Sequence, residues 1–442
     1  MAPPLLNTKV LQTCRVSPSQ CTATATTSLP STFFDLLFMN FHPVQRVFFY
    51  EFPNSAHHFI SSELPNLKHS LSLTLSRFYP LAGRLLMPDG GKPEILCSNG
   101  DAVNVVIAVS SDEFYELSSD HPREISRFHP LLPPLMMINE NEQEVLAIQV
   151  TIFPNTGITI GTTMHHGVAD GATYTHFMKT WSAVHRFGEL EGFSMVAPPF
   201  YDRSNVRDEK GLERIFMEEL EEFNNRDSFE KWDLHGCHDV LLATFVFGKE
   251  RLEKLRMKTM SNCSIYALAC GYMWSCLVKI HKETSKKKVH FGFVTGCRAR
   301  INPPLPENYF GNCLGICVVE ANRREVTKPE NSAEAIWEVI EGLKGGVMEG
   351  AEGWMRNVHR YASQKAMTVA GSPKLGVYGV EFRWGRPKKV EIVSIERTSA
   401  VALAETRDEE GGIEVGIALP RHEMEQFASC FVNGFLGDQH KC

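Results

Sequence analysis

The stretch EVLAIQVTIFPNTGITIGTTMHHGVADGATYTHFMKTWSAVHRF, residues 144–187, contains the change of period that decides the fold. Its first part is two β-branched runs around Pro154, Asn155, Thr156 and Gly157, which predicts a β-hairpin. Beyond Gly167 and Gly171 the pattern turns helical, with Phe177, Trp181, Val184 and His185 at helical spacing. The order is strand, turn, strand, glycine-bearing turn, helix. His165 and His166 therefore end a buried strand, and Asp170 stands where the helix begins.

A histidine in that place is held by rigid backbone on one side and open to a cleft on the other. Neutral imidazole, with a pKa near ~6.5, can take a proton from an attacking hydroxyl at cellular pH, where an ordinary carboxylate is too weak a base. Asp170 can cap the orphan amides of the helix or turn outward to an arginine, and either role fixes the loop that aims His166. Residue chemistry alone leaves other readings open. A strand-end histidine is commonly a satisfied polar residue, and His57 and His58 in SAHHFISS lack both the aspartate and the glycine turn. Metal ligation is a third reading, because His165, His166, Asp170 and His176 are close in sequence. Adjacent strand residues point to opposite faces, however, so the two histidines do not converge on one ion. Cys313 and Cys317 lack a second pair of ligands nearby and are a weak metal motif.

Working outward, 442 residues allow two or three domains at roughly 150 residues each. The chain turns polar and charged between Glu189 and Leu234, which predicts an N-terminal domain over residues 1–190, a crossover connection over 191–234 and a C-terminal domain over 235–442. Leu67, Leu71, Leu75 and Phe78 share one helical face ahead of YPLAGRL. The second half alternates strands (DVLLATFVF, VHFGFVTGC) with helices (SIYALACGYMWSCLVKI, AEAIWEVIEGL, HEMEQFASCFVNGF), and SAVALAETRDEEGGIEVGIAL reads as another hairpin. The expected class is α/β with mixed sheets. Hydrophobic residues are 43% and charged residues 22%, as in soluble globular chains. A net charge of −7 without a long basic run argues against nucleic acid. No apolar run suits a secretory leader or a membrane span, so a cytoplasmic protein with mostly reduced cysteines is expected.

The chain resembles, nearly end to end, the plant acyl-CoA-dependent acyltransferases called BAHD. HHGVADG matches their HxxxD motif and VYGVEFRWGRP, imperfectly, their DFGWG motif; STFFDLLFMNFHPVQRVFFY, SRFYPLAGRL, CRARINPPLPENYFGNC and HEMEQFASCF are similar too. The similarity is greatest to the branch that acylates sugars of flavonoids, anthocyanins and phenolic glucosides. It implies a chloramphenicol acetyltransferase-like fold of two domains with a channel between them, His166 as general base and Asp170 as structural aspartate. It implies Arg298 as the partner of Asp170, Ser264, Ser372 and Lys374 along the CoA channel, and Asn312 and Trp384 near the reaction centre. Acyl-CoA is then a co-substrate, malonyl-CoA favoured, with a small-molecule acceptor, no bound cofactor, no metal and a monomeric enzyme.

Four positions depart from the pattern. Glu381 and Arg383 replace the usual Asp and Gly of the second motif, Gly296 replaces an Asp ahead of CRAR, and Ala172 stands where malonyl-transferring members often carry a basic residue. Arg383 is then the candidate cation for a malonyl carboxylate, because burying that charge unpaired costs several kcal/mol, of order ~5. Acetyl or hydroxycinnamoyl transfer, acylation of an alkaloid alcohol or amine, a condensation-domain activity and a weakly catalytic binding protein are the competing readings.

Overall fold

The computed structural model describes residues 7–19, 26–223, 233–260, 262–281, 287–364 and 366–436, so part of the expected crossover connection lies outside the described residues. Two large mixed sheets organise the chain. The first has six strands in the order Thr8–Val16, Val103–Ser110, Leu146–Phe153, Gly157–Met164, Val44–Glu51 and Lys389–Ile392. The second has five, in the order Thr368–Gly371, Ala400–Glu405, Ile413–Pro420, Val240–Phe247 and Arg123–Glu124. Each contains one parallel pair, Val103–Ser110 with Leu146–Phe153 and Thr368–Gly371 with Ala400–Glu405.

The hairpin read from the sequence is present. Leu146–Phe153 pairs antiparallel with Gly157–Met164, and every residue of both strands is buried. Continuous burial rather than alternation means both faces are covered. Asn155 takes the left-handed position of the turn at φ 64° and the Thr156 amide donates to the Phe153 carbonyl at 3.1 Å, as a residue with a short polar side chain allows. Gly161 is needed for a close approach: a Cβ there would lie 2.0 Å from the Leu131 carbonyl oxygen.

On one face the Leu64–Arg77 and Gly171–Phe187 helices pack together, Phe78 meeting Phe177 edge to face at 5.6 Å. The Trp181 indole N–H anchors the pair by donating to Ser70 Oγ at 3.1 Å. Leu67, Leu71, Leu75 and Phe78 all enter the first core, the face expected from their spacing. Ile265–Ile280 is buried nearly all round and centres the second core.

The two halves exchange strands. Lys389–Ile392, from late in the chain, closes the first sheet against Val44–Glu51, and Arg123–Glu124, from the first half, edges the second against Val240–Phe247. A buried ionic seam follows. Arg123 donates to Glu391 at 2.9 Å with both side chains almost fully buried, and Lys389 reaches Glu414 at 2.9 Å and Asp120 at 2.6 Å. A seam of this kind contributes little net stability, but it penalises any register that separates its charges. Among the described residues no helix is long and apolar enough to cross a membrane. The described cysteines are free thiols, seven of them buried.

Candidate active site

The Gly157–Met164 strand delivers His165 and His166 to its end, and their side chains part as strand geometry requires. His165 is 1% exposed, with Nδ1 accepting from the Gly167 amide at 3.1 Å. His166 is half-buried and stacks on Phe38, ring centroids 4.3 Å apart and planes 8° apart. Its Nδ1 is buried without a partner, so the accessible edge of the ring is the one carrying Nε2. Burial lowers its pKa, opposed by smaller raising influences from its own backbone carbonyl, the Asp170 charge and Asn312. The ring is therefore a neutral imidazole near neutral pH.

Asp170 fills both roles open in the sequence. As N-cap of the Gly171–Phe187 helix its Oδ1 accepts from the amides of Ala172 and Thr173 at 3.1 and 3.0 Å. The same carboxylate takes a two-pronged grip from Arg298, Nη1 to Oδ2 at 2.6 Å and Nη2 to Oδ1 at 2.9 Å, and Oδ2 also accepts from the Cys313 amide at 3.1 Å. Burial pushes its pKa up, but the Arg298 charge and these hydrogen bonds outweigh it and hold the carboxyl below its ordinary value. Arg298 Nη2 continues to Thr173 Oγ1 and to the carbonyls of Tyr309 and Gly311. Asp170 thus ties the histidine turn, the helix start and the 309–313 loop into one unit.

Asn312 completes the unit. Its Nδ2 donates to the His166 carbonyl at 3.0 Å and to Asp35 Oδ1 at 3.1 Å, and its own amide N–H also goes to Asp35. Both side-chain hydrogens are engaged, so Asn312 has none left for a developing oxyanion. Asp35 is a residue the sequence reading did not single out. It is 1% exposed, and its Oδ2 accepts from Thr32 and, at 2.8 Å, from Arg203. The available signal was its position: an acid within the apolar run Phe33–Leu36 needs partners once buried.

The other candidates fall elsewhere. Trp384 packs in an aromatic cluster with Tyr50, Phe52, Phe59, His185 and Phe382, while the rings around His166 are Phe38 and Phe41. Ser264 caps the Ile265–Ile280 helix, accepting from the Ala267 amide. Ser372 accepts from the Lys374 amide in a short turn, and Lys374 is exposed. That turn reaches the helix capped by Asp170, for Lys179 Nζ donates to the Leu375 carbonyl at 2.8 Å.

The second motif's departures have physical reasons. Glu381 pairs with Arg186 across the helix end, a reach its extra methylene serves. The left-handed backbone of the turn belongs to Gly385, φ 108°, so position 383 carries a side chain without strain, and Arg383 is exposed. Because the Glu381–Arg186 pair is about a third exposed on each side, solvent screening holds its worth to about 0–1 kcal/mol. Glu381→Gln is expected to shift Tm by no more than about 2–4 °C in thermal melts, with Glu381→Asp closer still to the parent.

The Transferase family model matches residues 7–433. The chain is 36% identical, over 97% of itself and 97% of the relative, to malonyl-coenzyme A:anthocyanin 3-O-glucoside-6''-O-malonyltransferase of Dahlia pinnata. It belongs to the Transferase (BAHD) family. This BAHD chain is also 37% identical to phenolic glucoside malonyltransferase 2 of Arabidopsis thaliana, covering 96% of this chain and 98% of that one. The crystal structure of vinorine synthase superposes with a TM-score of 0.71 over 95% of this chain and 96% of that one at 22% identity, which establishes the shared two-part fold. The BAHD protein is an acyl-CoA-dependent acyltransferase, with acyl-CoA as co-substrate.

Proposed function

We propose that the enzyme transfers a malonyl group from malonyl-CoA to a sugar hydroxyl of a phenolic or flavonoid glycoside, with His166 as the general base. The observation that carries the mechanism is the half-buried His166 ring, kept neutral by burial and held in place at a strand end braced by Asp170, Arg298 and Asn312. The acceptor and donor follow from the relatives, which are named as malonyltransferases of anthocyanin and phenolic glucosides.

His166 Nε2 takes the acceptor's hydroxyl proton as its oxygen attacks the thioester carbonyl carbon. The tetrahedral intermediate collapses with cleavage of the carbon–sulfur bond, and the imidazolium returns the proton to the departing CoA sulfur. Both substrates are held together in a channel between the domains, so the ester forms without an acyl-enzyme. Asp170, Arg298 and Asn312 position the base. Ser264, Ser372 and Lys374 line the CoA side. Arg383 does not serve as the cation for the malonyl carboxylate: its amide meets His185 near the far end of the Gly171–Phe187 helix, roughly 20 Å along that helix from the Asp170 end where His166 sits. Glu381 and Trp384 hold the second motif. The enzyme works as a cytoplasmic monomer on small molecules, and its charge of −7 disfavours nucleic acid.

The test is thiol release from equal malonyl-CoA and acetyl-CoA with a panel of phenolic glucosides and alkaloid alcohols. Malonyl transfer to a glucoside should exceed acetyl transfer by about tenfold or more, the worth of one well-placed charge contact. Preference for acetyl-CoA and an alkaloid alcohol would replace both substrates while leaving the mechanism. Arg383→Gly should affect malonyl-CoA and acetyl-CoA alike, as its place by His185 requires; a rise in KM for malonyl-CoA alone would return Arg383 to the donor site.

A further inference from the structure

Three residues far apart in the chain, His129, His235 and Glu396, bring their ligand atoms within 4.8 Å of one another. His129 Nε2 lies 2.8 Å and His235 Nδ1 3.1 Å from the same oxygen, Glu396 Oε1. The Glu396 side chain is 1% exposed and its second oxygen, Oε2, is buried with no partner. Two imidazoles crowding one carboxylate oxygen while the other has nothing is a poor way to satisfy a buried acid. It is a natural way to hold a cation.

We propose that His129, His235 and Glu396 form a binding site for a divalent transition metal, Zn²⁺ by its ligand set, separate from the His166 site. Two imidazoles and one carboxylate are a common three-ligand zinc set, completed by water. Metal–ligand bonds of about 2.0–2.2 Å place tetrahedral donors roughly 3.3 Å apart, so the observed separations need only small side-chain rotations. His129 is 30% exposed and His235 47%, which leaves an entry path and a place for the water.

The backbone is already arranged for this. The Leu234 amide donates to the Glu396 carbonyl at 2.8 Å, fixing the neighbour of one ligand on the carbonyl of another. Asp233 is held by Arg397 at 2.9 Å and lies 3.6 Å from His42. His129 belongs to the first half, His235 precedes the Val240–Phe247 strand and Glu396 follows the exchanged Lys389–Ile392 strand. A metal here would clip the end of the crossover to both halves of the enzyme.

The experiment uses full-length protein stripped with EDTA, dialysed, and titrated with Zn²⁺ in a calorimeter and with Co²⁺ by visible absorption. The expected result is saturable uptake of about one ion per chain, a tetrahedral Co²⁺ band, and a Tm raised by about 2–4 °C or more. His235→Ala and Glu396→Gln should each weaken uptake about tenfold or more and abolish the Tm rise. His235 is exposed, so its variant carries the test even if the buried Glu396→Gln fails to fold. Cys237→Ser, which removes the exposed thiol two residues away, should change nothing. Absence of saturable uptake, unchanged uptake in His235→Ala, or uptake lost in Cys237→Ser would each overturn the proposal.

Discussion

Replacing His166 by alanine is expected to lower kcat by about 10²–10⁴ in steady-state thiol-release assays, the usual worth of a positioned general acid–base, while the protein stays folded. The side chain stacks on Phe38 and lies against Phe41, while the brace from Asn312 Nδ2 goes to the His166 backbone carbonyl, which alanine keeps. Melting temperature and acyl-CoA affinity should therefore change little. His165→Ala removes a buried ring that receives the Gly167 amide, so it should lower Tm and reduce kcat by less than about tenfold. Equal losses of kcat in two well-folded variants would assign the base wrongly. The pH profile supplies a second readout. Because burial lowers the His166 pKa, the base stays neutral below the ordinary imidazole value near ~6.5, and the acid limb of kcat/KM should lie beneath it. That limb should vanish from the residual activity of His166→Ala.

The hairpin and the helix after it were legible because their signals are local: two β-branched runs, a turn with Asn155, then helical spacing. The strand exchange was not, because its signal is not local. Lys389–Ile392 has two charges in four residues, which reads as a surface segment, yet all four are buried. Lys389 and Glu391 are tolerated only because Asp120, Glu414 and Arg123 arrive from distant parts of the chain. Arg123–Glu124 is a strand of two residues, too short to carry a period at all. The candidate site shows the same division. His166 and Asp170 stand out as a spaced pair, and the family resemblance supplied Arg298. Asp35 escaped notice because its importance lies in what the fold places against it, Asn312 on one oxygen and Arg203 on the other.

Asp170→Asn is expected to damage both stability and turnover, and the pattern separates it from His166→Ala. Asparagine is nearly isosteric and its Oδ1 can still cap the helix amides, so the backbone has no steric reason to move. What it cannot do is answer Arg298. Its NH₂, at the Oδ2 position, would face Arg298 Nη1 and the Cys313 amide, donor against donor, and the Arg298 charge would be left unpaired with its side chain only 11% exposed. Breaking one side of a buried pair costs about 3–5 kcal/mol, enough for a Tm loss of several degrees in a melting experiment. The loss should depend on pH in a definite direction. The folded Asp170 carboxyl titrates below its ordinary value, so its contribution is complete above the unfolded pKa near ~3.9 and disappears as pH falls through the lower folded value. The gap between parent and variant should thus be widest near neutrality and close in acid. Turnover should fall with acyl-CoA affinity largely retained, since Asp170 acts on the turn that aims His166. Adding Arg298→Met to Asp170→Asn tests the physical cause: removing the stranded cation should recover part of the lost stability without recovering kcat. If the double variant is no more stable than Asp170→Asn alone, the unpaired charge is not what destabilises it, and the damage lies in the lost hydrogen bond from the Cys313 amide instead.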